Sequence, residues 1–142
     1  MLDQGNAILS KTDTSGTLLE QFPLPGSSHR DITWDGSSLW IISDGDDMVY
    51  EISPLDGSAL SSFSTPSTNP SGVVFVSGSL FIADSGTNTL THVTLTGAIL
   101  SSVILPGSAP GALAYDGAYV WNNDTDEKMI YAFDVFELDQ EE

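Results

Sequence analysis

The chain contains no cysteine. Disulfides and thiolate metal sites are therefore excluded, while oxidising and reducing compartments both remain open. Positive charge is almost as scarce. Lys11, Arg30 and Lys128 stand against 20 acidic residues, a formal net charge of −17. A surface of that sign repels phosphate backbones and anionic lipid, so neither nucleic acid nor a membrane is expected as a partner. Divalent cations, basic partners or a salty medium suit it better. The opening MLDQGNAILS lacks the basic and continuous apolar regions of a signal peptide. No run approaches the roughly 20 apolar residues of a membrane helix. No segment sustains an apolar period of 3.6 residues, so helix is not expected either.

What the chain does have is a recurring unit, clearest at 31–66, DITWDGSSLWIISDGDDMVYEISPLDGSALSSFSTP. Four short apolar runs (32–34, 39–42, 48–52 and 59–63) are separated by Asp35-Gly36, the cluster 43–47, and Asp56-Gly57. Asp-Gly between β-favouring runs is a hairpin signal, because glycine reaches positive φ without a Cβ clash. The unit reads as a four-stranded antiparallel meander. Gly16, Gly57 and Gly97 lie 41 and 40 residues apart, as do Pro25, Pro66 and Pro106. Ile8, Val49, Leu90 and Ile130 keep spacings of 41, 41 and 40, and Asp44, Asp84 and Asp124 are 40 apart twice. One period shared by independent position types marks a repeat architecture.

Four strands per repeat of that length point to a β-propeller, all-β and built of four-stranded blades. In 72–76, GVVFV, both strand faces are apolar, so a blade needs neighbours on either side. The segments GVVFVSGSLFIADSGTNTLTHVTLTG (72–97), ITWDGSSLWIISD (32–44), and LAYDGAYVWNND with MIYAFD (within 113–134) carry a resemblance to a known group. They resemble the six-bladed propeller superfamily of NHL-repeat, YVTN-type and gluconolactonase-like proteins.

The strand tally implies an assembly. With strands lettered A to D from the axis outward, 5–26 supplies C and D, and 31–66 and 72–106 are complete blades. A to C come from 111–135, and 136–142 is an acidic tail. About three blades cannot close a ring, since propellers have about four to eight. A homodimer closing six blades is the expected repair, with the 17–25 strand of one chain completing the 111–135 blade of the other. One difficulty is that the segments 7–12 and 129–134 both read as C strands. The alternative is a stretch of a longer propeller.

Chemistry is expected on the face formed by the loops into strand A and the B–C loops. His29, Arg30, Asp31 and Asn69 are the candidate ligand-binding residues there. Arg30 does not repeat from blade to blade and can clamp a carboxylate or phosphate. Asp44, Asp84 and Asp124 offer hard oxygens for a calcium ion, although a recurring Asp also suits capping of its own turn. A central metal is part of the gluconolactonase-like resemblance, but no residue-specific motif here matches it. His92 reads as a side chain at a blade surface, and Trp34, Trp40, Trp121, Tyr50, Tyr115 and Tyr131 as packing between blades. No nucleophile elbow, phosphate-cradling loop or His-x-x-x-His pair is present. The expectation is a non-catalytic binding or scaffold propeller for a small molecule, peptide or protein, with no obligatory cofactor. The alternatives are a calcium-dependent hydrolase or lactonase, and a structural repeat module.

Overall fold

Turn chemistry divides the chain into short strands, and each apolar run between turns enters a sheet. The computed structural model describes residues 1–3 and 5–135, so the acidic tail at 136–142 lies outside the described residues. Among the described residues, fourteen strands form four antiparallel sheets. The first holds β1 (Leu2–Asp3), β2 (Ile8–Thr12) and β3 (Leu18–Pro23). The second runs β4 (His29–Trp34), β5 (Leu39–Ser43), β6 (Met48–Ile52) and β7 (Ala59–Ser64). The third runs β8 (Pro70–Val76), β9 (Ser79–Asp84), β10 (Thr89–Val93) and β11 (Ile99–Ile104). The fourth holds β12 (Pro110–Tyr115), β13 (Tyr119–Asp124) and β14 (Met129–Asp134).

These sheets are the blades read from the repeat, with one addition. Strand β1 pairs Leu2 with Leu9 and Asp3 with Ile8, giving the first sheet a B strand. Two residues are too short to stand out as an apolar run. The two segments that compete for one C position in the sequence are both accommodated, β2 in the first sheet and β14 in the fourth. Strand β3 pairs with β2 of its own chain and is the end strand of its sheet.

The blades pack face to face and share no single core. Leu9 and Leu24 meet Ile41 and Ile52 between the first two sheets. Trp40, Ile42 and Val49 meet Val73, Leu80, Ile82 and Val93 between the second and third. Phe81, Ala83 and Leu90 meet Leu113, Val120 and Val135 between the third and fourth. The approach is close at Gly57, where a Cβ would lie 2.4 Å from Phe22 Cβ of the preceding blade. Its φ of 73° is also one that only glycine adopts readily.

The repeat register differs by one residue from the sequence spacing. In the ladders Phe22 faces Leu9, Phe63 faces Val49, and Val103 faces Leu90. Leu9, and not Ile8, is therefore the equivalent of Val49. The cause is the turn from C to D. Gly16 and Gly97 close three-residue steps onto Asp13 and Thr94, whereas Gly57 closes a four-residue step onto Ser53. Matching glycines across that extra residue displaces everything before it.

The same register exposes an incomplete end. Val49 and Leu90 are 0% and 1% accessible, but their equivalent Ile130 is 68% exposed. Trp40 and Phe81 are buried, while Trp121 at the matching place in β13 is 39% exposed. Among the described residues, no blade lies against that face of the fourth sheet.

Candidate functional site

Strands β4, β8 and β12 are the innermost of their sheets, and each breaks register near its start. The shifts fall between His29 and Asp31, between Pro70 and Gly72, and between Pro110 and Leu113. A bulge re-aims the residue it leaves out of the ladder. Those residues include Arg30, Ser71 and Gly111, which line one cavity of ≈ 410 Å³ together with Asp44, Asn69 and Thr125. The cavity lies where the loops into the A strands meet the B–C loops.

Among the described residues that line it, blade two alone contributes charge. Arg30 donates to Asp44 Oδ2 through Nε at 3.0 Å and Nη2 at 2.5 Å. The matching bulge residues in blades three and four are Ser71 and Gly111. The residues matching Asp44 are Ser85 and Thr125, which follow from the strand pairing below.

His29 faces Ser43, Pro70 faces Asp84, and Pro110 faces Asp124. Ser43, and not Asp44, is therefore the equivalent of Asp84 and Asp124, through the same one-residue offset. Asp84 caps its turn, accepting from the amides of Asn69, Gly86 and Thr87 at 2.9, 2.9 and 2.7 Å. Burial pushes its carboxyl up, but the Ser67 hydroxyl and these amides outweigh that and leave it below the usual carboxylate range. Asp124 accepts from Ser108, Ala109, Asp126 and Glu127 amides, and the Glu127 and Ala109 contacts lead in lowering its pKa. Asp3 does the same with Gly5 and Asn6, a fourth member that the sequence reading missed. Its signal was there: 3, 43, 84 and 124 keep spacings of 40, 41 and 40. Among the described residues no group of three or more acidic or histidine side chains is placed to hold a metal.

Two sequence candidates do not reach the cavity. His29 is buried, with Nε2 2.7 Å from the Pro25 carbonyl oxygen. Asp31 is a tie between inner strands. Its Oδ2 accepts from Val73 and Leu113 amides at 3.0 and 3.1 Å, and its Oδ1 accepts from Ile32 at 2.9 Å. The inner strands are close enough that a Cβ on Gly72 would lie 2.5 Å from the Gly111 carbonyl oxygen. Burial of Asp31 raises its pKa despite the three donors. Arg30, Asn69 and Asp44 are the sequence candidates that the fold brings together. His92 stacks on Phe81 at 4.3 Å, with Nε2 2.6 Å from Ser79 Oγ.

No protein-family model matches the chain, and a search of curated proteins finds no match. Its architecture does match solved structures. Virginiamycin B lyase from Staphylococcus aureus is 17% identical at a TM-score of 0.66, covering 93% of this chain and 50% of the lyase. Glutaminyl cyclase from Myxococcus xanthus is 15% identical at a TM-score of 0.74, covering 89% and 57%. BamB from Moraxella catarrhalis is 15% identical at 0.62, covering 85% and 35%. These are β-propeller proteins, and the four sheets described above are propeller blades. The chain spans about half the length of the lyase it matches. At such identities the likeness is one of fold alone.

Proposed function

We propose that this chain is a non-catalytic binding module, a partial propeller that presents a small polar molecule or the end of a peptide with a site at its loop-face mouth. The observation that supports this is the departure from repetition in the mouth. Positions that are serine, glycine or threonine in blades three and four are Arg30 and Asp44 in blade two. A structural need of the blade would recur in every blade, whereas a single charged pair over a cavity serves one ligand. Cavities of this size are ordinary for small-molecule sites.

A second part of the proposal concerns the bare face of the fourth sheet. Trp121 and Ile130 repeat the side chains that cement the inner blade contacts, and covering each large apolar side chain is worth about 1.5–3 kcal/mol. A second copy of the chain, docked sheet to sheet as the inner blades are, is the occupant we propose. Light scattering on the purified chain tests it. A mass twice that of the chain, lost on Ile130→Asp, is the expected result; a monomer at high protein concentration would overturn it. Calorimetric titration with a library of small polar compounds tests the mouth, and a ligand whose affinity ignores Arg30→Gln counts against it.

A further inference from the structure

We infer that the mouth cavity recognises a zwitterion, a molecule carrying an ammonium and a carboxylate close together, such as a free α-amino acid. This rests on the reading of the cavity as a binding site and adds the class of ligand. The Arg30–Asp44 pair engages Nε and Nη2 on one side and Oδ2 alone on the other. Among the described residues, Arg30 Nη1 and Asp44 Oδ1 have no protein partner. The pair therefore leaves a donor edge and an acceptor oxygen free, on two partly exposed side chains that both line the cavity. A ligand carboxylate fits the guanidinium edge, and a ligand ammonium fits the free carboxylate oxygen.

Long-range charge favours the same class. A chain of net charge −17 depletes simple anions from its surface, so a carboxylate arriving alone works against the whole field. A simple cation is attracted but leaves the guanidinium unanswered. A zwitterion is neutral to the distant field and complementary to the local pair. The remaining wall supplies uncharged hydrogen-bonding groups. Ser71 lines the cavity at the bulge position that Arg30 holds in blade two. Asn69 and Thr125 add an amide and a second hydroxyl.

The chain has a single arginine, so its Nε–Hε signal in a nitrogen-15 correlation spectrum is a private reporter on the site. The full chain is titrated with glycine and L-serine, and separately with acetate, methylammonium and glycerol. Both amino acids are expected to shift the Arg30 signal saturably, with acetate and methylammonium at least about tenfold weaker. Arg30→Gln and Asp44→Asn should each weaken glycine binding by a similar factor, read for the arginine variant from the Asn69 and Ser71 amides. Asp44→Asn should at the same time strengthen acetate, because the competing carboxylate is gone. Acetate binding as tightly as glycine to the unaltered chain would overturn the inference. Glycerol moving the Asn69 and Ser71 amides while Arg30 stays silent to amino acids would remove the zwitterion and keep the binding site. Silence with every probe would remove both. Circular dichroism of each variant against the parent establishes that loss of binding is not loss of fold.

Discussion

Replacing Asp35 and Asp116 by alanine, one at a time, tests whether the fourth sheet is as bare as its side chains indicate. The two residues open the same A–B turn in blades two and four and do the same work. Asp35 accepts from the Ser37 and Ser38 amides, both at 2.7 Å, and from the Trp40 indole N–H at 2.8 Å. Asp116 accepts from the Ala118 and Tyr119 amides and the Trp121 indole N–H, all at 2.8 Å. Blade three has Phe81 at the tryptophan position and Val76 at the aspartate position, so the acid disappears where there is no N–H to answer. The cost of alanine should nevertheless differ. Trp40 is sealed between blades, and an unanswered N–H there costs about 1–3 kcal/mol. The Ser37 amide is exposed and regains water, whereas Ser38 is buried, so losing this cap adds about 0.5–2 kcal/mol. Asp35→Ala should therefore cost about 1.5–5 kcal/mol. Trp121 can turn its N–H to solvent, so Asp116→Ala should lose well under half as much. Urea unfolding followed by tryptophan fluorescence measures both. Equal losses in a chain shown to be monomeric would refute the reasoning from exposure. Equal losses in a dimer would mean that the partner covers Trp121.

Acid sensitivity carries the same logic. Burial pushes the Asp35 carboxyl up, but the Ser38 amide, the Trp40 indole and Ser37 outweigh it and hold the pKa at about 2. A depressed value contributes stability that is present above 3.8 and lost as pH falls toward about 2, so Asp35→Asn should flatten that part of the unfolding curve. Asp31 has the opposite sign. Its pKa is raised by burial, so its contribution is present below 3.8 and lost as pH rises through the folded value. Asp31→Asn should therefore gain on the parent as pH rises above 3.8, read as the shift in urea midpoint, and an unchanged difference would count against the buried tie. Calcium or EDTA should leave the melting temperature unmoved. The carboxylates of Asp84 and Asp124 are engaged by their own turns, and a rise with calcium of more than about 1 °C would show ligands outside those turns.

The fold was legible because its causes are local. Asp-Gly, Ser-Gly and Thr-Gly turns set strand length, β-branched and aromatic runs fill the strands, and a blade has two apolar faces because it has two neighbours. What the spacing could not supply was the exact register. A single extra residue between Ser53 and Gly57 makes the glycines agree while the strands before them disagree. Asp44 then seemed to belong with Asp84 and Asp124, and Ile8 with Val49. The tie made by Asp31 was illegible for another reason. Its partners, Val73 and Leu113, lie 42 and 82 residues away, and nothing in the local sequence announces that three inner strands converge.

The offset matters most at the mouth. With Asp44 grouped among turn caps, Arg30 has no particular partner and the acids look like a ring. With Ser43 in the capping place, Asp44 matches Ser85 and Thr125 and stands opposite the one arginine of the chain. The capping role in blade two passes to a different set. Ser43 Oγ accepts from the Ser27 amide and donates to Asp46, whose other oxygen accepts from the Tyr50 hydroxyl at 2.5 Å. Blade two thus keeps its turn closed by other means while placing a carboxylate in the cavity. In blades three and four the place of Asp44 is held by Ser85 and Thr125, whose hydroxyls donate to the Asn69 and Ala109 carbonyls. The residue that departs from the repeat in blade two therefore stands beside the cap and not in it. Here that residue is Asp44, and the cavity it faces is where the chain departs from being only a stack of wedges.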